Sequence, residues 1–294
     1  MSIATALPAQ IRRQSLLRWP RAQACASAAC IRDQKLWNRF FAPVTTVKFR
    51  GATFCFPSCF EHELERELER LPVDDSARKA RTRRIPLGLL MLSRGALTND
   101  QLWRALNEQK QAGRGRVGEW MTSLGFAQQA DITAALAMQW SCPLLRKLPL
   151  VTDTCGIPWH LLQSLRMLPI HYSRAASTVH IAFADEIAYP ALISVEQMLN
   201  VKTEACLTTQ RELNCALDAL KENREQKEKV FENLRATSEI VAIVSSYAGK
   251  LHASEVRLVV CGRHYWARIF CDVQPFDLIF ASSKTGLDRI PEAR

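Results

Sequence analysis

The chain has 294 residues, 39 Lys+Arg against 29 Asp+Glu, and a net charge of +10. On a prior of about 100–200 residues per domain this length predicts roughly two domains. A hydrophobic fraction of 48% with 23% charged residues excludes wholesale disorder, and no apolar run approaches the roughly 20 residues of a membrane-spanning helix. Arg12 and Arg13 interrupt the N-terminus before any secretory stretch can form, so a cytoplasmic protein is expected.

The positive charge is concentrated at the start. Residues 1–60 hold nine basic residues and one acid, Asp33, which is +8 of the total +10. Such a segment can attract nucleic acid, anionic lipid or an acidic partner, or can serve as a solvated arm. Residues 20–71 are predicted to form a small module with four cysteines and a closing amphipathic helix. Residues 72–85 read as a basic linker and 86–220 as a helix-rich block followed by strand–helix alternation. Seven charges in 221–229 predict a solvated helix or tether. In 230–275 an apolar helix precedes two strands, Glu255–Val260 and Tyr265–Cys271, flanking Gly262. The class is therefore α+β.

Cys25 and Cys30 are separated by four intervening residues, Cys55 and Cys59 by three, and Cys59 opens the helix. Four thiolates suit a closed tetrahedral zinc site, and helix amides near Cys59 would help hold its thiolate. The pattern resembles treble-clef fingers, with C-x-x-x-C halves like those of MYND and HIT-type fingers. Buried or unremarkable thiols are the other reading. Cys142, Cys155, Cys206, Cys215, Cys261 and Cys271 show no such pairing and are expected in the core.

Residues 86–109 and 116–139 align without a gap at an offset of 30, with seven of 24 positions identical. The identities are Gly88/Gly118, Met91/Met121, Ser93/Ser123, Gly95/Gly125, Ala105/Ala135, Leu106/Leu136 and Gln109/Gln139. Each copy predicts a helical hairpin. The first helix ends at the second glycine, and in copy one Thr98 caps the second helix with Gln101 completing a capping box. Leu102, Leu106 and Gln109 share one face. Two such hairpins should pack as a four-helix bundle. The leucines are explained by a bundle core. The first glycine and closing glutamine of each copy point instead to a ligand, because glycine weakens a helix and suits close approach.

The tandem pattern resembles the MshEN domain, the N-terminal domain of type II secretion and type IV pilus assembly ATPases of the GspE/PilB type. Cys142-Pro143-Leu144, Ile157 to Pro169, His180 to Asp185, a helix near 190–199, a strand at 201–207 and a capped helix at 209–220 continue the resemblance. It implies a hairpin bundle packed with a small α/β half. Many members bind cyclic di-GMP across the two repeats. The positions that match are Leu87, Gly88, Met91, Leu92, Gly95, Ala96, Leu97, Leu102, Leu106 and Gln109 in copy one. In copy two they are Arg116, Val117, Gly118, Met121, Thr122, Gly125, Phe126, Ala127, Ile132, Leu136 and Gln139. Arg116 is the expected principal polar contact, because a guanidinium fork can meet a guanine edge or a phosphate. Copy one carries Pro86 in that place, with Arg83 and Arg84 just upstream.

Residues 237–272 resemble the start of the second domain of these ATPases. No G-x-x-x-x-G-K-[ST] occurs; Gly249-Lys250 lacks the preceding glycine and is followed by Leu251. Neither H-E-x-x-H nor G-x-S-x-G is present among motifs around His62, His160, His171, His180, His252 and His264. The expectation is a non-enzymatic regulatory or adaptor protein that binds cyclic di-GMP and structural zinc, with a protein partner of secretion or pilus machinery. The alternatives are a docking module without nucleotide binding and a nucleic-acid-binding protein using the basic segment. Trp103, Trp120, Trp140 and Trp159 are expected in the core.

Overall fold

A computed structural model describes residues 25–30, 45–71, 84–222, 228–234, 236–272 and 274–281. The basic segments 1–24 and 31–44 and most of the linker 72–85 lie outside the described residues, as do 223–227 of the charged tether. The class is α+β, as the sequence predicts.

The four-cysteine segment builds a hairpin, β1 (Thr46–Phe49) and β2 (Ala52–Cys55), followed by α1 (Ser58–Arg70). Arg50 and Gly51 both have positive φ, 52° and 77°, the conformation of the two-residue turn that matches strand twist. Phe60, Leu64 and Leu68 recur every four residues along α1 and are buried, which makes one apolar stripe.

Next come the repeats: α2 (Leu87–Ser93), α3 (Asn99–Ala112), α4 (Val117–Ser123) and α5 (Gln129–Trp140). The α/β half follows as α6 (Trp159–Ser164), β3 (Met167–Ser173), β4 (Thr178–Phe183), α7 (Tyr189–Leu199), β5 (Lys202–Leu207) and α8 (Gln210–Glu222). Its sheet has the order β3-β4-β5, antiparallel then parallel. The last unit is β6 (Glu228–Phe231), α9 (Thr237–Lys250), β7 (Glu255–Cys261), β8 (His264–Phe270) and β9 (Phe276–Ala281). Strands β6 and β9 were not anticipated by the sequence reading. The charged tether 221–229 contributes the end of α8 and the start of β6.

The first and last segments are not separate in space. They share one six-stranded sheet of order β2-β1-β7-β8-β9-β6, joined by the parallel pairs Lys48↔Glu255 and Phe49↔Val256. Alternation along β8 shows how its two faces are used. Tyr265, Ala267 and Ile269 join a core with Phe49, Phe60 and Leu64 of the N-terminal segment and Val244 of α9. Trp266 points to the opposite face and packs with Val259, Ile279 and the α/β half. Ser245 donates to Glu61 at 2.5 Å, and Tyr265 donates to the Leu71 carbonyl at 3.0 Å. On the other face Arg268 and Asp277 form a buried pair at 2.7 Å, with Trp266 Nε1 donating to the same carboxylate. The hairpin bundle has its own small core of Met91, Leu97, Leu102, Ala105, Met121, Ile132 and Ala135. Among the described residues no helix is long and apolar enough to cross a membrane.

Candidate functional site

The two repeats fold alike. Pro86 and Arg116 stand at the N-caps of α2 and α4 in extended backbone. Gly95 and Gly125, at φ 68° and 71°, turn the chain after each first helix, and a left-handed turn is where glycine is favoured. The Ala96 amide donates to Met91 O at 3.0 Å and the Phe126 amide to Met121 O at 2.9 Å. Thr98 and Gln101 form the expected capping box. Gln128 and Asp131 take that place in copy two.

The closing glutamines link the copies. Gln109 donates to the Gly115 carbonyl at 2.9 Å, and Gln139 donates to the Ile85 carbonyl at 2.7 Å. Residues 85 and 115 are themselves one offset apart, so each copy ends by holding the lead-in of the other. The glutamines thus have a structural role, whatever they contribute to a ligand. The glycines do too. A Cβ at Gly88 would lie 2.6 Å from Leu102 Cδ1, and one at Gly118 would lie 3.0 Å from Ile132 Cγ2. Their missing side chains let the two helices of each hairpin close together.

Burial divides the expected ligand residues. Met91, Leu97, Leu102, Met121 and Ile132 fill the bundle core. Leu87, Leu92, Val117, Thr122, Phe126, Ala127, Leu136 and both glutamines are half-buried, while Gly95, Ala96, Leu106, Arg116 and Gly125 are exposed. Leu106 is 46% exposed although Leu102, one turn earlier, is buried. The face they share is therefore only partly covered.

Arg116 reaches the α/β half. Its guanidinium lies 3.7 Å from Asp185 and 3.4 Å from Glu186. Its backbone N–H donates to Glu119 at 3.0 Å. A second arginine, from the lead-in of copy one, approaches the start of α7, which follows that loop. Arg84 stacks with its guanidinium carbon 3.3 Å above the Trp140 ring and 5.7 Å from that of Tyr189. The two rings are 5.8 Å apart. Residues 185–189 thus receive a guanidinium from the lead-in of each copy. Sequence reasoning assigned no role to Trp140, Asp185, Glu186 or Tyr189 in this contact, because none lies in the periodic motif.

Cys25, Cys30, Cys55 and Cys59 come together, with all four sulfurs within 4.8 Å of one another. Cys30 and Cys55 sulfurs are 3.8 Å apart. That is far beyond a disulfide bond of about 2.05 Å, and it matches the ~3.8 Å that a tetrahedron with Zn–S near 2.3 Å requires. The Cys55 amide donates to Cys25 Sγ at 3.4 Å, and Ala26 N–H donates to Thr53 O at 2.8 Å. Burial, and then the neighbouring Cys30 and Cys25, push the Cys59 thiol up to about 12. Four sulfurs packed this closely have the number and spacing of a closed thiolate site, so the donor set fits a metal ion.

The remaining cysteines are all free. Cys206 and Cys261 are buried, but Cys215 is exposed, against the expectation of a core position. Trp159 is buried, while Trp103 is 66% exposed on α3 and so is not a core residue. His160 and His264 meet edge to face at 5.1 Å. Burial and then the His160 charge hold His264 below the usual histidine range.

No family model matches the sequence, and no curated protein matches it. Among solved structures, MshE with cdg (cyclic di-GMP) is 30% identical, over 46% of this chain and 98% of that one, at a TM-score of 0.39. The N-terminal domain of XpsE is 17% identical over 45% of this chain and 92% of that one, at 0.35. A second crystal form of that domain gives 18% identity, 44% and 90% coverage, and 0.28. With scores below 0.5 the superpositions carry no weight; the identity through nearly the whole MshE domain does. On that identity the chain belongs to the MshEN, or GspE N-terminal domain, family.

Proposed function

We propose that this chain is a non-enzymatic bacterial regulatory or adaptor protein of the cytoplasm that senses cyclic di-GMP through its tandem hairpins. The observation that carries the reading is the pair of interlocked hairpins with Arg116 exposed at the N-cap of the second. A guanidinium there can donate two bonds to a guanine edge or a phosphate. Similarity to MshE, solved with cyclic di-GMP, supports the same ligand. Response comes by differential binding. Arg116 contacts Asp185 and Glu186 of the α/β half, and a ligand that takes this guanidinium favours the arrangement in which those contacts are released. The output passes to a protein partner of secretion or pilus machinery.

Cys25, Cys30, Cys55 and Cys59 hold one zinc ion in this reading. The ion supplies structural cross-linking, tying the segment around Cys25 to β2 and to the first turn of α1. Their closed set of four thiolates leaves no open position for substrate. Calorimetric titration with cyclic di-GMP beside GTP and cyclic di-AMP tests the ligand. Saturable binding of cyclic di-GMP alone is expected, and no binding by the folded chain rejects the sensor.

One observation favours a second reading, docking without nucleotide. Trp103 and Leu106 lie three residues apart on α3, one helical turn, and both are exposed, an aromatic–aliphatic pair of the kind that anchors interfaces. Trp103→Ala would then abolish partner capture whether or not nucleotide is present.

A further inference from the structure

We propose that the uncovered face of α3 is a self-association surface, on which a second copy of this chain lays the same helix antiparallel, with Trp103 of each copy against Leu106 of the other. This is the surface on which the docking reading above rests, with its occupant now named; the cyclic di-GMP reading is not needed for it.

Helices α3 and α5 are equivalent at the repeat offset of 30, but their outer faces are treated differently. Helix α5 packs on β5. There Thr133 is 1% exposed, and Leu136, Ala137 and Trp140 join the core of the α/β half. The same four places on α3 are Trp103, Leu106, Asn107 and Lys110. No α/β half covers them: Trp103 is 66% and Leu106 46% exposed. The bundle thus presents one helix face twice, once covered and once open. The open copy carries the larger anchor, a tryptophan where the covered copy has a threonine. Tryptophan combines a large apolar area with little side-chain entropy to lose, and is enriched at the centres of interfaces.

Spacing and charge point to a second copy. Asn99, Trp103, Leu106 and Lys110 follow one another along α3 at intervals of 4, 3 and 4, which puts them on one stripe. The intervals are the same read from either end. Antiparallel pairing centred between positions 104 and 105 therefore sets each Trp103 opposite a Leu106 and each Lys110 opposite an Asn99, a self-complementary two-fold contact. The ends of α3 also differ in charge, with Asp100 in the first turn and Lys110 in the last. Antiparallel pairing brings Lys110 of one copy beside Asp100 of the other, twice over. Parallel pairing would bring Lys110 to Lys110 and Asp100 to Asp100, and like charges in apposition are unfavourable. Two 14-residue helices, each about 21 Å long, make a contact at the low end of the interface range, below roughly 1,200 Å². The association is accordingly reversible, with a dissociation constant in the micromolar range.

The test is sedimentation equilibrium of the full chain from about 1 to 300 μM, a range that brackets micromolar association. Nucleotide is left out, because Leu106 is also one of the expected ligand positions. The wild type should rise from 33.3 kDa towards twice that mass. Loss of an interface anchor from both copies weakens pairing by about 30-fold or more, so Trp103→Ala should stay at monomer mass. Should Trp103→Ala fail to fold, Leu106→Lys is read in its place, with the same expectation. Lys110→Asp and Asp100→Lys should each stay monomeric alone, since each sets like charges together. Mixed one to one they should recover the dimer mass, because every opposed pair in the mixed dimer is then of opposite sign. A wild type that remains monomeric throughout overturns this inference and leaves docking of a different partner standing. A dimer that survives Trp103→Ala or Leu106→Lys, or a mixture no heavier than its two components, also overturns it.

Discussion

Replacing Gly88 by valine separates packing from ligand binding at the residue where the two explanations compete. A Cβ at position 88 would approach Leu102 Cδ1 to 2.6 Å, about 1 Å inside a normal carbon–carbon contact. Valine then adds two methyl groups in the same gap. Overpacking of this kind costs about 1–3 kcal/mol, and the better helix propensity of valine returns only a few tenths. Gly118→Val should cost less, since its Cβ meets Ile132 Cγ2 at 3.0 Å. Urea denaturation of the two variants measures the order directly. The double variant Gly88→Val, Leu102→Ala removes the obstructing side chain, so its loss should fall short of the summed single losses by about 0.5–3 kcal/mol. Unchanged stability of Gly88→Val, with cyclic di-GMP binding abolished, would refute the packing account and return the glycine to the ligand.

Arg116→Ala should cost less than about 1 kcal/mol of stability, because its ion pairs are exposed, yet weaken cyclic di-GMP by about 1.5–3 kcal/mol; denaturation and calorimetry read the two losses separately. Protein from metal-replete cells should contain one zinc, and metal analysis showing under a tenth of an equivalent contradicts the four-thiolate site. Chelation should lower the melting temperature of the intact chain, because β1 and β2 belong to the sheet that carries β7 to β9. His264 is held below the usual histidine range, so the unfolded chain takes up the proton first as the pH falls. Stability should therefore decline below about pH 6.5, and His264→Gln should flatten that decline in pH-dependent melts.

The repeats were legible because their signal is local. Glycine, a helix cap and leucines at helical spacing lie within each 24-residue copy, and the hairpins follow from them. The four cysteines were legible for the same reason, since spacing within each pair and the helix after Cys59 are short-range features. The shared sheet was not. The pairing of Lys48 with Glu255 joins strands some two hundred residues apart, and a parallel pairing of that kind leaves no turn signal in the sequence. Strands β6 and β9 were missed at the ends of unpatterned or charged stretches. The packing contacts of Gly88 and Gln109 were not legible because both are made to partners, Leu102 and Gly115, that only the fold brings close. Arg84 lies outside the motif altogether, and its contacts with Trp140 and Tyr189 are made only by the fold.

Titration of the full chain with cyclic di-GMP, run beside GTP and cyclic di-AMP, tests the central claim most directly. The account predicts saturable binding of cyclic di-GMP alone, lost on Arg116→Ala. A well-folded chain that shows no binding at about 100 μM ligand, equivalent to roughly −5.5 kcal/mol, would contradict it.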